Sequence, residues 1–323
     1  MGAAMACRFG RQAGTDGQGG PPMSQVLRRT LLLSGLNALL AVVAWGAFLG
    51  HFRFYGVLQR IAFCYLLTSL IAMRTGALAQ ALWAAGLLAG YALILRFVPI
   101  SGHGPGGLER FSNIADYVDS KLMLPLLYEI DRNAGVGHDP EGLVSTLGAV
   151  ATTLSGVLCG GLLLRSDRSV EKKVGIMTLA GALLLTAGLL WSRSLPLNKN
   201  LWTPSYVLVT SGWAFLGLAS FFWLIEVKGL KAWAQPFVIY GSNAIAAYVG
   251  VGLMSYASVA IRWQDAPGHV IRLKTFLYRA LYQSWIAPLC GDRVSSAAWG
   301  ATYVALWWFL MWTLYRKRIF IKV

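Results

Sequence analysis

Long apolar runs dominate this chain, and they lack the every-second-residue alternation of a half-buried strand. Crossing about 30 Å of hydrocarbon takes roughly 20 mainly apolar residues. Eight stretches meet that length: Leu31–Gly50, Gly56–Met73, Ala77–Leu95, Gly142–Leu164, Val174–Ser192, Thr203–Ile225, Phe237–Ser258 and Ser296–Tyr315. In lipid every backbone amide needs a partner within the protein, so a spanning segment is a helix or a strand of a closed barrel, and continuous apolar runs do not fit barrel strands. The pattern predicts an all-α fold, a polytopic transmembrane helical bundle of about eight spans.

Composition narrows the class further. The 323 residues are 56% hydrophobic and 13% charged, with a mean hydropathy of +0.57, whereas soluble globular domains carry roughly 25% charged residues. Disorder is excluded by the same numbers and by the many Trp, Tyr and Phe. A formal charge of +15 would raise nucleic acid as a partner in a soluble protein. In a membrane protein it reads as the cytoplasmic excess of Lys and Arg, with lipid as the neighbour and no nucleic acid. That bias places both termini in the cytoplasm. Residues 1–30, rich in Gly and Arg with Pro21 and Pro22, read as a mobile basic cytoplasmic tail ahead of one membrane domain over 31–323. The four cysteines are scattered without a metal-ligand spacing. Gly86 with Gly90, and Gly156 with Gly160, read as close-packing pairs between helices.

Against this background the polar groups in or beside the apolar runs stand out. A charged side chain near mid-membrane costs roughly 2.5–3.5 kcal/mol on insertion scales, so it needs a partner, a task or a snorkelling route to water. Arg60, beside Gln59, opens the second stretch. It either snorkels or pairs with Asp139 or Glu141 at the mouth of the fourth. Seven of the thirteen acidic residues, Glu109, Asp116, Asp119, Glu129, Asp131, Asp139 and Glu141, fall in the single loop between the third and fourth stretches. The run from Gly137 to Gly142 sets His138, Asp139 and Glu141 around Pro140, as suits a helix beginning near Pro140 or a polar rim that orients a substrate. A metal site from His103, Asp131, His138 and Asp139 is allowed by ligand type, but no ligand spacing supports it, and no metal is expected. Asn198, Lys199 and Asn200 form either a solvated turn or part of that rim, Trp202 suits an interfacial anchor, and Asn243 an amide bonded to a neighbouring helix or to a ligand. Gly102-His103-Gly104-Pro105-Gly106-Gly107 fits a dinucleotide-binding string without its strand-and-helix setting, and reads as a turn.

Six segments in order resemble the transmembrane acyltransferase family that includes heparan-α-glucosaminide N-acetyltransferase. They are GVLQRIAFCYL (56–66), NIADYVDSKL (113–122), HDPEGLVSTL (138–147), PLNKNLWTPSYVL (196–208), PFVIYGSNAIAAYV (236–249) and LYRKRIF (314–320). The resemblance implies an enzyme using acetyl-CoA as acyl donor, with an amino sugar or glycan as acceptor across the membrane, and it leaves homo-oligomeric assembly open. Acceptor binding is expected at Gln59, Arg60, Asp139, Glu141, Asn198, Lys199 and Asn243. In that family a His on an outward-facing segment near the N-terminus is catalytic. The resemblance implies that this chain starts after the hairpin bearing it, since His51, His103, His138 and His269 sit elsewhere. His138, next to a family segment, is the candidate substitute base. A truncated or inactive enzyme, a secondary transporter and a non-catalytic scaffold are the alternatives.

Overall fold

A computed structural model describes residues 1–16, 21–100, 104–266 and 268–321, with the backbone alone for 11–16, 265, 266 and 269. The chain divides into two compact units, Met1–Asn37 with Arg53–Leu230, and Ala38–Phe52 with Lys231–Val323. His103 of the metal reading lies outside the described residues, as do Gly102 of the glycine string and the side chain of His269. The described part of the glycine string is irregular, joined only by a bridge between Ile100 and Gly104.

The first unit contains helices α1 (Gly2–Asp16), most of α2 (Met23–Ala44), α3 (Val57–Ala72), α4 (Ala77–Phe97) and the short α5 (Ile114–Met123). A hairpin follows, β1 (Glu129–Asp131) paired antiparallel with β2 (Val136–His138). Then come α6 (Thr146–Leu164), α7 (Val170–Trp191) and α8 (Pro204–Phe222). Local chemistry sets several starts. Ser169 caps α7 by accepting from Lys172 N at 3.3 Å, and Pro204 sits in the first turn of α8, where a missing amide hydrogen costs nothing.

Of the residues expected as a mobile tail, 2–16 and 23–30 are helical. Gly2–Asp16 forms α1, and Met5 and Ala6 are buried with Val26, Tyr65 and Val157. The stripe of Gly156 and Gly160 on α6 makes this possible, because Cβ atoms there would press on Gly2 and Ala3. Gly86 and Gly90, the other small-residue pair, meet nothing within 4 Å. A tighter crossing joins α7 and α8. A Cβ on Gly212 would lie 2.6 Å from Leu185 N and 2.8 Å from Gly181 O, and one on Gly188 would lie 2.7 Å from Val209 N. Overpacking of this kind costs about 1–3 kcal/mol, so Gly212→Val is expected to lower the unfolding temperature in detergent, while Gly217→Val, in open space, leaves it nearly unchanged.

The second unit holds α9 (Gln235–Ser242), α10 (Ala244–Ala260), the hairpin β3 (Arg262–Ala266) with β4 (His269–Arg272), the short α11 (Leu273–Tyr278) and α12 (Ile286–Cys290), and the 25-residue α13 (Asp292–Arg316). Ile239, Ala247 and Met311 form its core, packed by Trp307, Trp308 and Trp312.

Among the described residues five helices are long and apolar enough to cross a membrane: Met23–Leu49, Ala77–Phe97, Thr146–Leu164, Val170–Trp191 and Pro204–Val227. Ala232–Ser242 with Ala244–Ala260 makes a sixth if the pair, bent by 67°, is one span. Two of the eight expected stretches differ for physical reasons. Val57–Ala72 is a shorter apolar helix, and α13 is long but so rich in Trp and Tyr that its hydropathy is modest. The chain is thus an all-α membrane protein of several spans.

Candidate functional site

The acid-rich loop between α4 and α6 folds into a clamp, and its chemistry is local at first. Asn113 caps α5 by accepting from Asp116 N at 2.8 Å, which starts a helix that turns Asp116, Asp119 and Ser120 to the same buried side. Asp116 accepts from Phe111 N at 2.8 Å and Asn113 Nδ2 at 2.7 Å, and its other oxygen faces His138 Nδ1 at 2.7 Å. Ser120 Oγ accepts from Gly137 N at 2.8 Å, which fastens the β1–β2 hairpin to α5. His138 is thereby fixed as the last residue of β2, opposite Glu129.

The residues after His138 do not begin a helix, as Pro140 had suggested. They form a chain of turns, and α6 starts only at Thr146. Arg53 organises these turns. Its Nε donates to Asp139 Oδ2 at 2.9 Å, its Nη2 to Asp139 Oδ1 at 2.6 Å, and Nη2 also reaches Glu141. Its guanidinium lies over Tyr128 at 4.6 Å. Asp139 further accepts from Tyr128 N at 3.1 Å and Glu141 N at 3.0 Å, so every lone-pair direction of this buried carboxylate is occupied. Burial alone would lower the Arg53 pKa, but the hydrogen bonds and charges of Asp139 and Glu141 outweigh it and raise the pKa. Asp119 accepts from Leu143 N at 2.9 Å. Burial nevertheless pushes its pKa up to about 7, helped by the neighbouring charges of Asp139 and Asp116.

The pairing expected for Arg60 is therefore taken by Arg53. Arg60, 6% exposed, makes no ion pair among the described residues. Its Nη2 donates to Pro140 O at 2.6 Å and to Ser145 Oγ, and its guanidinium covers the Trp202 ring at 5.0 Å. Trp202 is not an interfacial anchor. Asn198 Oδ1 accepts from Asn200 N at 2.9 Å and Leu201 N at 3.2 Å, and this turn carries Trp202 into a positive φ of 52°. The indole then points into the unit, where Nε1 donates to Thr152 Oγ1 at 3.1 Å.

Beneath these groups lies a cavity of about 680 Å³. Arg60, Glu141, Lys199 and Trp202 line one end; Thr152, Tyr206 and Ser211 line its length; Cys159, Phe215 and Leu218 line the other end. Along α6 it runs from Ala149 to Cys159, about 15 Å at roughly 1.5 Å per residue. Its volume falls within the range of small-molecule sites, about 300–1,000 Å³.

Of the site residues read from sequence, Arg60, Glu141 and Lys199 share this cavity. Asp139 supports it from behind, through Arg53. Gln59 is buried but does not line it, and Asn198 serves as a turn former. Asn243 belongs to the second unit, where its amide donates to Ile319 O at 3.0 Å and accepts from Ile321 N at 2.8 Å. His138 is outside the cavity lining, with Nε2 buried and without a hydrogen-bond partner. Arg53, Ser145 and the inward Trp202 were missed as site residues. Arg53 stands three residues before a span and looks like any loop cation. Among the described residues no group of three or more His, Cys, Asp and Glu is placed to hold a metal ion.

Fold and site together define the chain as an integral membrane protein of several helices, with a mainly apolar cavity in its first unit that carries Arg60, Glu141 and Lys199 at one end. It is similar to heparan-alpha-glucosaminide N-acetyltransferase of Homo sapiens, 29% identical over 240 residues that cover 68% of this chain and 32% of the relative. It is similar as well to the protein of that name from Mus musculus, 26% identical over 259 residues, covering 70% of this chain and 35% of the relative. The likeness read from the six ordered segments is supported by these relatives, although the chain spans only about a third of their length. No protein-family model matches it.

Proposed function

We propose that the chain is a membrane acetyltransferase that moves an acetyl group from cytoplasmic acetyl-CoA to an amino sugar or glycan on the opposite side. The observation that carries this reading is the cavity, which follows α3, α6 and α8 away from the Arg60, Glu141 and Lys199 cluster. It gives a ligand room inside the helical part of the protein, about 15 Å along α6, and the names of the two relatives supply the reaction class.

Acetyl-CoA, when bound, supplies a thioester carbonyl already activated toward nucleophiles. The chain's own part is to place and desolvate the acceptor. Glu141, the carboxylate of the lining, attracts the ammonium of an amino sugar, and Arg53 fixes its position. Ser155 and Ser211, 3.2 Å apart, keep the wall polar where α6 meets α8. The half-buried Arg168 and the exposed Lys172 draw CoA phosphates electrostatically. His138 is held by Asp116 through Nδ1, a pairing that fixes the tautomer of an imidazole, and its place outside the lining assigns it to holding the loop. The attacking amine also needs a proton acceptor, a step worth about 10²- to 10⁴-fold, and Glu141 is the lining group we assign to it.

The test uses proteoliposomes with labelled acetyl-CoA on one face and glucosamine on the other. Labelled N-acetyl product is expected on the glucosamine side, and Glu141→Gln is expected to lower turnover at least tenfold with CoA binding retained. Protein that binds CoA but forms no product with any amino sugar would overturn the reading. The break at Asn243 favours one rival, because discontinuous helices mark transporter sites. Counterflow of labelled solute without acetyl-CoA consumption would establish that rival instead.

A further inference from the structure

Two arginines stand at the same end of this cavity in opposite electrostatic circumstances. Arg53 holds two carboxylates. Arg60, deeper in the unit, holds none, although a cation taken out of water needs either a counter-charge or a full set of hydrogen bonds. Its Nη2 alone is anchored, by the Pro140 carbonyl and Ser145 Oγ, while Nε and Nη1 are buried without partners. The Trp202 ring lies 5.0 Å from the guanidinium carbon and shields the group on that side. Lys199 lines the same end of the cavity, so a second positive charge faces the same space. Glu141 is the one acid of the lining among the described residues, and its carboxylate is engaged by Arg53.

A guanidinium fixed at one nitrogen, shielded on one face and unpaired at two further donors is preorganised for an anion. We propose that Arg60 is the receptor for an oxoanion group, a carboxylate, phosphate or sulfate, on the ligand that enters this cavity, with Lys199 as the second cation. The inference deepens the functional reading above and rests on the cavity being the ligand site. It restricts the ligand class, because a wholly neutral sugar would leave the two donors unsatisfied. Charge-assisted hydrogen bonds contribute enough that losing them weakens binding by about tenfold to a hundredfold.

The oxoanion has two sources, the acceptor sugar or the pantetheine arm of the donor, and two probe pairs separate them. In detergent-purified full chain, glucuronate is compared with glucose, and 4′-phosphopantetheine with pantetheine, by calorimetry and thermal shift. The charged member of at least one pair is expected to bind at least tenfold more tightly than its neutral partner. Arg60→Gln is expected to abolish that preference while leaving binding of the neutral member unchanged. A preference confined to the sugar pair places the anion on the acceptor; one confined to the other pair places it on the donor. Equal binding within both pairs, or a preference that survives Arg60→Gln, would overturn the proposal. Should Arg60→Gln not fold, Lys199→Gln decides: a largely retained preference supports Arg60, and its disappearance assigns the anion to Lys199 alone. Acetyl transfer to glucosamine is scored separately, so the acetyltransferase reading and the anion receptor stand or fall on different measurements.

Discussion

Arg53→Ala is expected to destabilise the first unit by about 3–5 kcal/mol, the usual result of removing one partner from a buried ion pair. Asp139 explains the size. Its side chain is 0% exposed and it is held by Arg53 through two hydrogen bonds, so the substitution strands a carboxylate where water cannot solvate it. Glu141, 20% exposed at the side chain, is less affected because solvent reaches it. Thermal unfolding in detergent is the measurement, and Arg53→Lys is expected to recover only part of the loss, since an ammonium lacks the planar fork. The double variant Arg53→Ala with Asp139→Asn is expected to be more stable than Arg53→Ala alone, because the stranded charge is gone. An Arg53→Ala protein that unfolds within about a degree of the parent would mean that the clamp does not hold the loop.

Asp119→Asn is expected to act in the opposite direction, with a gain that grows from about pH 4 to about pH 7 and is full above it. The folded carboxyl ionises near 7, whereas an unfolded aspartate ionises near 3.9. A raised folded value means that the fold favours the protonated form. The corresponding stability is therefore complete below about pH 4, declines as pH rises through the window to about 7, and is absent above it. A shift of this size corresponds to on the order of 2–4 kcal/mol. Asparagine keeps an oxygen for Leu143 N, which now meets Asp119 Oδ1 at 2.9 Å, and carries no charge to desolvate. The variant is expected to match the parent at pH 4 and to exceed it in thermal stability at pH 8. Unfolding temperatures across pH 4–8 check this, and a parent profile that is flat over that window would remove the premise.

The membrane class was legible in the sequence because it depends on a local quantity, the length of an apolar run against the thickness of hydrocarbon. Six of the eight stretches reappear as helices or a bent pair of spanning length, and the other two as helices that are shorter or rich in Trp. The chemistry of the site was legible in part. Acid density marked the loop after α4, and Arg60 stood out as a cation in an apolar run. The partner of the acids was not legible, since Arg53 and Asp139 are 86 residues apart and nothing in either neighbourhood encodes the approach.

Residue order alone therefore determined that this is a helical membrane protein carrying an acid-rich loop, because apolar length and charge density need no knowledge of neighbours. Three decisions belonged to the tertiary structure. The α5 and hairpin clamp chose which arginine takes Asp139 and Glu141. The Asn198 turn sent Trp202 inward to cover Arg60. Gly156 and Gly160 opened the α6 surface on which the N-terminal segment lies as a helix. Each is a contest between distant segments for one burial position, and such contests are settled by packing and desolvation when the segments meet, which is why the unpaired Arg60 appears only in three dimensions.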